Sequence, residues 1–144
     1  MIWLLRHGDA EPGSPDAERP LTDKGRRQAR TAGAALEVLG VKIDACLTSP
    51  KKRAADTAAL ACEPLGVQPQ DEPKLAGGRF DPLELAAGNG DEVLLVGHEP
   101  DFSDAVRDLT GADVDFKKGG LAAIDGGELR VLMRPAEIKR IARS

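Results

Sequence analysis

The sequence predicts an α/β protein, a single-domain three-layer α/β/α sandwich in which helices cover both faces of a mostly parallel sheet. Short apolar runs alternate along the chain with longer segments whose apolar residues recur at helical spacing. One run, EVLLVG at residues 92–97, is continuously apolar, which is typical of a parallel strand covered on both faces. This alternation of strands and helices indicates the layered architecture.

The first half of the chain predicts two strands, each followed by a helix. The run IWLL at residues 2–5 predicts the first strand, and a proline-rich loop follows it. We expect Thr22 to cap a helix that stops at Gly40. The apolar face expected for this helix consists of Gly25, Ala29, Ala32, Leu36 and Leu39. The segment IDACLTS predicts the second strand, after which Ser49 is expected to cap the second helix, with Pro50 at its first position.

The second half predicts a short helix, the buried strand, a further helix and a C-terminal hairpin. Residues 70–82 are expected to be less regular, and the short helix is expected from Asp81 to Ala87. After strand 92–97, the segment PDFSDAVRDLTG predicts a helix. Its expected inward residues are Phe102, Ala105, Val106 and Leu109. The runs LAAID and ELRVLM flank two glycines and predict the hairpin, and PAEIKRIARS predicts a last helical turn.

Composition and charge suit one globular domain that spans residues 1–144. The chain is 41% hydrophobic and 31% charged, and its net charge of −4 argues against a nucleic-acid-binding surface. No apolar run is long enough to cross a bilayer and no signal peptide is evident. We therefore expect a cytoplasmic protein with neither a membrane nor a nucleic acid as partner. Cys46 and Cys62 lie in apolar settings without CxxC spacing, so we expect them to be buried, reduced thiols.

The candidate functional residues follow the predicted strands. Arg6 and His7 come directly after the first strand, and His98 follows strand 92–97. Arg53 lies in the first turn of the helix after the second strand. Because ligands of open α/β sheets bind beyond the carboxyl ends of the strands, we expect these side chains to converge. Each histidine adjoins a glycine, and Gly8 is expected to bind substrate by letting it approach the backbone.

The chemistry of these side chains favours a phosphoryl group as the ligand. Arginine presents paired donors that match phosphate oxygens, and a helix N-terminus also favours an anion. A neutral imidazole is a nucleophile, so the charge of Arg6 is expected to keep His7 unprotonated and reactive. Attack on phosphorus would give a phosphohistidine enzyme that water then hydrolyses. Arg6 and Arg53 would spread the phosphoryl charge, and His98 would add a donor.

Other residues near these motifs are interpreted as structural. Asp9 is expected in a turn, and Thr57 is expected to pack or to bond to backbone. Lys51 and Lys52 are expected on solvated surface, where they could steer an acidic partner. A metal site is not expected, because two histidines without clustered carboxylates make a poor ligand set.

Four segments together resemble the histidine phosphatase superfamily and, within it, the small SixA-like branch of phosphohistidine phosphatases. The segments are LRHGDA, RPLTDKGRRQA, TSPKKRAADTA and LLVGHEP. The resemblance implies a phosphoglycerate mutase-like α/β/α fold and no metal or other cofactor. It implies His7 as the phosphorylated nucleophile. The residues that it places around the phosphate are Arg6, Arg53 and His98, with Arg19 as a further substrate-binding residue.

The chain departs from larger relatives in its candidate proton donor. Where phosphoglycerate mutase-like members carry a donor glutamate, this chain has EPKLAGGRFDP. Glu99 follows His98, at the place where the acid phosphatase branch has an aspartate, so Glu99 either donates a proton or starts the next helix. Asp81 or a water molecule could also deliver the proton. Since the imidazole of a phosphohistidine leaves more easily than an alkoxide, the missing acid favours a phosphohistidine substrate.

These inferences predict a metal-independent phosphatase that acts on phosphohistidine of a signalling or phosphocarrier protein. The short connections predict a shallow, open site that admits a side chain displayed on another protein, such as a histidine phosphotransfer domain. Two alternatives stay open. The first is a phosphomonoesterase for a small phosphorylated metabolite, such as a nucleotide or sugar phosphate. The second is a non-catalytic phosphate-binding adaptor, against which the intact set of histidines and arginines argues.

Overall fold

The computed structural model describes residues 1–144 as a six-stranded mixed sheet with helices on both faces. The strands are β1 (Ile2–Arg6), β2 (Ala45–Thr48), β3 (Pro69–Asp71), β4 (Val93–Gly97), β5 (Leu121–Asp125) and β6 (Glu128–Met133). The helices are α1 (Asp23–Val38), α2 (Lys52–Cys62), α3 (Pro82–Ala86), α4 (Asp101–Thr110) and α5 (Pro135–Ala142), with short 3₁₀ segments at Asp16–Glu18 and Pro73–Ala76. None of these helices combines the length and apolar character that spanning a membrane requires.

The strand order β3-β2-β4-β1-β5-β6 confirms the mostly parallel sheet with a C-terminal hairpin. Strands β3, β2, β4 and β1 run parallel, while β5 is antiparallel to both β1 and β6. At the centre, Leu4 of β1 pairs with Leu95 of β4 on one side and Ala122 of β5 on the other. Because β1, β2 and β4 are neighbours in parallel, the residues that follow them meet at one edge of the sheet.

Two hydrophobic cores on opposite faces of the sheet make the three layers. Trp3 and Leu5 of β1 face the core shared with α1, α2 and α5, whereas Ile2 and Leu4 face the core shared with α3 and α4. The helices of the first core approach the sheet mainly with small side chains, which are Ala32, Ala35, Ala54, Ala58 and Ala61. This composition allows close packing of helix on sheet and of helix on helix.

The ends of α1 agree with the sequence in all but one residue. The Thr22 hydroxyl accepts a hydrogen bond from the Gly25 N–H at 3.0 Å, which confirms the N-cap. Gly40 has a φ of 74°, the left-handed conformation typical of the residue after a helix. Leu39, expected on the apolar face, is 47% exposed. It lies beyond the last helical residue, Val38, so the helical periodicity no longer directs it to the core.

The expected start of α2 is wrong by two residues. The helix begins at Lys52, and Lys51, not Ser49, stands at the N-cap position without a side-chain cap bond. Ser49 instead accepts from the Lys51 N–H at 3.2 Å and contacts His98 across the sheet edge. Pro50 therefore belongs to the connection between β2 and α2 and not to the helix.

Two elements differ from the sequence-based expectations. The edge strand β3, which pairs with β2 over Pro69–Asp71, overlaps the start of the stretch expected to be less regular. Its three residues carry no apolar alternation that could have indicated it. The expected last helical turn is the eight-residue helix α5, which contributes Ile138 to the first core. Both cysteines are buried and free, as expected.

Candidate active site

Three adjacent parallel strands carry candidate residues to one edge of the sheet. His7 follows β1, and its N–H donates to the Gly97 carbonyl of β4 at 3.0 Å. Ser49 follows β2, and its N–H donates to the Val96 carbonyl at 3.0 Å. His98 follows β4, which lies between β1 and β2. The two histidine rings consequently face each other, with their centroids 5.1 Å apart and their planes inclined by 56°.

Two contacts orient the ring of His7. Its Nδ1 lies 2.8 Å from the Gly8 carbonyl oxygen. Because a carbonyl oxygen can only accept, Nδ1 carries the proton and Nε2 of the neutral ring keeps its lone pair. The Nε–H of Arg53 donates to this Nε2 at 3.4 Å. The reactive lone pair of His7 therefore faces the guanidinium of Arg53.

The surroundings of His7 keep its ring neutral. The residue is only 6% exposed, and burial is the largest cause that lowers its pKa from 6.5 to about 4. The charges of Arg53 and Arg6 lower the pKa further, while the hydrogen bond to Gly8 opposes them. Charge from Arg6 therefore contributes as expected, but desolvation contributes more. At neutral pH the ring is an unprotonated nucleophile.

Arg53 is held by a loop that the sequence did not connect with the site. The residue is 7% exposed, its Nη1 donates to the Asp16 carbonyl at 2.9 Å, and its Nη2 donates to the Asp16 carboxylate at 3.3 Å. Hydrogen bonds from Arg19 first, then Arg53 and Lys51, lower the pKa of Asp16 from 3.8 to about 2. Asp16 is therefore an anion at neutral pH and fixes the plane of the Arg53 guanidinium.

His98 stands opposite His7 with one nitrogen satisfied. Its Nε2 lies 2.7 Å from the Ser49 hydroxyl oxygen, and its Nδ1 is buried without a hydrogen-bond partner. Burial first, then the charge that His7 carries once it is protonated and the charge of Arg53, lower the pKa of His98 to about 3. When the Ser49 hydroxyl donates to Nε2, the proton of the neutral ring lies on Nδ1, which is then a free donor.

Arg6 contributes a second guanidinium with an unpartnered donor. Its Nη1 donates to the Phe116 carbonyl at 2.7 Å, while its Nε is buried without a partner. Burial lowers the pKa of Arg6, and the carboxylates of Glu99 and Asp115 oppose that effect, so the side chain stays a cation. A buried N–H without a partner is costly, and it suits a site that receives an anion.

The turn after β1 packs against α1 at backbone distance. A Cβ on Gly8 would stand 2.6 Å from the Gly25 carbonyl oxygen, and one on Gly25 would stand 2.0 Å from that of Asp9. The Gly8 N–H donates to the Thr57 hydroxyl at 3.1 Å, and this hydroxyl donates to the Arg53 carbonyl at 2.7 Å. The structure thus gives Gly8 a packing role, and its expected role in ligand approach stays a prediction. The backbone-bonding role expected for Thr57 is confirmed.

Arg19 lies outside the cluster of histidines and arginines. Its Nε donates to the Glu11 carbonyl at 2.8 Å, and its Nη1 donates to the Asp16 carboxylate at 3.1 Å. Arg19 therefore reaches Arg53 only through Asp16. The sequence pattern pointed to this neighbourhood, but no pattern marked Asp16, which lies in a loop without periodicity.

Both carboxylates considered as proton donors form the start of a helix. Glu99 accepts from the Ser103 N–H at 2.7 Å and from the Ser103 hydroxyl, in the first turn of α4. Asp81 is the N-cap of α3 and accepts from the Leu83 N–H at 3.0 Å. Of the two readings of Glu99, the structure favours the one in which it starts the next helix.

The remaining polar residues around the site form local pairs. Asp9 accepts from the Thr22 hydroxyl at 2.8 Å, in keeping with its expected turn. Lys51 lies 3.4 Å from Asp16, and Lys52 pairs along α2 with a carboxylate one turn away. No group of three or more His, Cys, Asp or Glu side chains is placed to hold a metal ion. The cluster presents positive charge and N–H donors, which together suit an oxyanion with several oxygens.

Comparison with protein families matches residues 2–86 to the histidine phosphatase superfamily (branch 1). An uncharacterised protein of Picosynechococcus sp. strain PCC 7002 is 33% identical over 90% of this chain and 87% of its own length. Further curated relatives are longer proteins, of which the chain covers between 21% and 38%.

Solved structures extend the similarity over nearly the whole chain. The protein histidine phosphatase SixA, complexed with tungstate, is 25% identical with a TM-score of 0.82, over 96% of this chain and 99% of that one. The α-ribazole phosphatase from Shigella flexneri has a TM-score of 0.72 at 21% identity, over 93% and 96% of the two chains. This second similarity shows the fold alone. The two structures thus share an architecture, although their names give different substrates.

Proposed function

The chain belongs to the histidine phosphatase superfamily, and from that premise we propose that it hydrolyses phosphohistidine on another protein through a phosphorylated His7. Family and fold support a phosphatase. The observation that carries the proposal is the His7 ring, which is buried and neutral and turns its unprotonated Nε2 toward Arg53. The partner is a signalling or phosphocarrier protein that displays the phosphorylated ring.

In the first step, Nε2 of His7 forms a bond to phosphorus while the bond between phosphorus and the substrate's imidazole nitrogen breaks. The electron pair of that bond returns to the substrate ring, which leaves as a neutral imidazole because it carries its own proton near neutral pH. Positive charge develops on His7 as it is phosphorylated. The Gly8 carbonyl, which accepts from Nδ1–H, stabilises that charge.

In the second step, a water molecule forms a bond to phosphorus, and the bond from phosphorus to Nε2 breaks. Its electron pair returns to Nε2, which restores the neutral ring. The protons of the water remain with the inorganic phosphate that leaves. His7 is thus regenerated with its proton still on Nδ1, and no protein acid is needed in either step.

The charge of the transferred group is met by Arg6, Arg53 and His98. In phosphoryl transfer, positioning and charge stabilisation supply most of the catalysis. We assign phosphoryl oxygens to Nε of Arg6 and Nδ1 of His98, two buried donors without a partner in the protein. Arg53 offers the Nε–H that points at the attacking nitrogen, and its Nη groups stay anchored on Asp16. These donors are ordered before the substrate arrives, so little reorganisation is required.

The arrangement of carboxylates supports phosphohistidine as the substrate over a phosphate ester. Glu99 and Asp81 are engaged with the N–H groups at the starts of α4 and α3. An ester of an alcohol leaves as an alkoxide and needs a proton donor, whereas imidazole does not. The proposal places this reaction in the cytoplasm, where the free, buried thiols Cys46 and Cys62 suit the reducing conditions.

A comparison of substrates tests the proposal directly. We expect phosphoramidate and a phosphohistidine protein to be hydrolysed faster than p-nitrophenyl phosphate and sugar or nucleotide monophosphates at equal concentration. Hydrolysis should persist in EDTA and be blocked by tungstate. The reverse order of rates would instead indicate the small-molecule phosphomonoesterase. Phosphate binding without turnover of any substrate would indicate the adaptor.

A further inference from the structure

A positively charged groove begins beside the candidate active site and runs between α1 and α5. Two hollows of about 440 and 500 Å³ meet in it, because both are lined by Lys24, Gln28 and Pro135. We name this feature the α1–α5 groove. The cations that line it are Arg6, Lys24, Arg27, Lys117, Lys118 and Lys139.

The charge of the α1–α5 groove is largely uncompensated. Lys24, Arg27 and Lys139 are exposed and form no ion pair within the chain. Two of the six cations are paired: Lys118 lies 3.5 Å from Asp9, the only carboxylate in the lining, and Lys117 lies 2.9 Å from Asp115 outside it. The groove is therefore strongly positive on a chain whose net charge is −4. An acidic partner would be repelled by most of the surface and attracted here.

The groove lies next to the residue proposed as the nucleophile. Gly119, which lines the groove, donates its N–H to the carbonyls of Arg6 and His7 at 3.2 and 3.0 Å. Arg6 lines the first hollow. Lys118 is close enough to His7 that its charge lowers the pKa of that ring. A molecule whose phosphoryl group lies on His7 can therefore also occupy the adjacent groove.

We propose that the α1–α5 groove docks an acidic segment of the phosphoprotein whose phosphohistidine enters the site. This inference rests on the proposed function and specifies the partner's surface. Along α1 the lining extends from Lys24 to Thr31, which is about 10 Å of helix at 1.5 Å per residue. A second anionic group on a small substrate would occupy the first hollow only. The second hollow adds an apolar contact from the exposed Ala136, which suits a peptide chain.

Two peptides of equal length test the docking. Each carries a central phosphohistidine, flanked by glutamates in the first peptide and by glutamines in the second. We measure kcat/KM for the whole protein and for Lys24→Glu, with Lys42→Glu as the matched control. Lys42 is also exposed and free of ion pairs, and it lies before β2, at the opposite end of the sheet from the site. Phosphoramidate reports the basal activity of each variant.

The proposal predicts that the acidic peptide is preferred about tenfold over the neutral one at low salt, and that added salt removes the preference. Lys24→Glu should lower kcat/KM for the acidic peptide about fivefold and leave phosphoramidate hydrolysis within about twofold of the unsubstituted protein. Lys42→Glu should change neither. Lys139→Glu, at the far end of the groove, should act in the same direction as Lys24→Glu and provides a second variant should the first be unstable.

Equal rates on the two peptides, or equal effects of Lys24→Glu and Lys42→Glu, would overturn the docking while leaving phosphohistidine hydrolysis intact. A second pair of probes, fructose 1,6-bisphosphate and fructose 6-phosphate, identifies a small-molecule subsite. Faster hydrolysis of the bisphosphate that depends on Lys24, with no preference among peptides, would also overturn it. If neither peptide nor phosphoramidate is hydrolysed while p-nitrophenyl phosphate is, the proposed function itself fails.

Discussion

The floor of the candidate active site and the rim around it are held together by different kinds of contact. The floor consists of His7, Arg53 and His98, which are 6–7% exposed, and the two histidines directly follow strand ends. The rim residues Asp16 and Lys118 have side chains that are 55% and 49% exposed and are held by ion pairs. Exposed ion pairs are screened by water and salt and contribute little, whereas interactions of buried donors are screened much less. We therefore expect substitutions in the floor to abolish the reaction and substitutions in the rim to change its rate only moderately.

The largest effect is expected at the centre of the floor. His7→Ala removes the attacking nitrogen and should lower kcat roughly 10⁴-fold or more, as the loss of a nucleophile does in other covalent mechanisms. The midpoint of thermal unfolding should change little, because His7→Ala removes a polar ring whose burial is itself unfavourable. Rapid quenching with a phosphorus-labelled substrate should trap label on the unsubstituted protein and none on the variant. Retained turnover in His7→Ala would refute the assignment.

Substitution of Arg53 tests whether the reaction needs the fixed geometry of a guanidinium or only its positive charge. Arg53→Lys keeps the charge but loses both the anchors on Asp16 and the Nε–H that points at His7. We expect kcat/KM to fall about 10²-fold to 10³-fold, the range for loss of one preorganised donor. The matched rim substitution Lys51→Ala, on the neighbouring residue, should cost far less. Equal effects of the two substitutions would erase the distinction between floor and rim.

Asp16 is the rim residue expected to affect the reaction most, because it holds the Arg53 guanidinium through both its carbonyl and its carboxylate. Asp16→Asn leaves the carbonyl contact in place and weakens the other. We expect about a tenfold loss in kcat, intermediate between floor and rim, with a parallel loss of tungstate affinity. Tungstate binding measured by calorimetry separates this positioning role from a loss of folding, which circular dichroism reports independently.

Glu99 should behave as a helix residue in spite of its place beside His98. Glu99→Gln should lower the free energy of unfolding by about 1 kcal/mol, because a neutral amide is a weaker acceptor at the start of α4. Hydrolysis of phosphoramidate should change less than about threefold, within the range of a lost peripheral contact. A larger loss on substrates with poor leaving groups than on those with good ones would restore Glu99 as the acid.

As the pH falls, the stability of the folded protein should decrease well before His7 is protonated and loses its reactivity. With pKa values of about 4 and about 3, His7 and His98 stay neutral when folded, while unfolded histidines bind protons near pH 6.5. The unfolded state therefore binds more protons below pH 6.5. The contribution of these two histidines to the free energy of unfolding is fully present above that pH and is lost as the pH drops toward 4. Urea unfolding at pH 7 and pH 5 measures the loss. Proton NMR should show both rings neutral at pH 6, and titration of His7 near 6.5 would contradict the buried environment.

Residues with a local signal were predictable, and their partners were not. The alternation of apolar runs indicated the sheet, and the positions of Arg6, His7 and His98 after strands indicated their convergence. The N-cap of α1 followed from Thr22 and the glycine stop from Gly40. By contrast, Ser49 was expected at a helix start because its side chain suits a cap, and it instead contacts His98, a residue 49 positions away. Such a contact leaves no periodicity in the sequence.

By itself, the amino-acid sequence determined the layered α/β fold, the strand ends that carry the two histidines, and the positive charge placed around them. These properties follow from local patterns, since apolar spacing selects strand or helix and parallel strands bring their carboxyl ends together. Tertiary structure alone decided that burial, more than the adjacent guanidinium, keeps His7 neutral. It also decided that Asp16 anchors Arg53 and that unpaired cations line a groove beside the site. Desolvation and long-range pairing depend on which surfaces meet in space, and the linear order of residues does not record that.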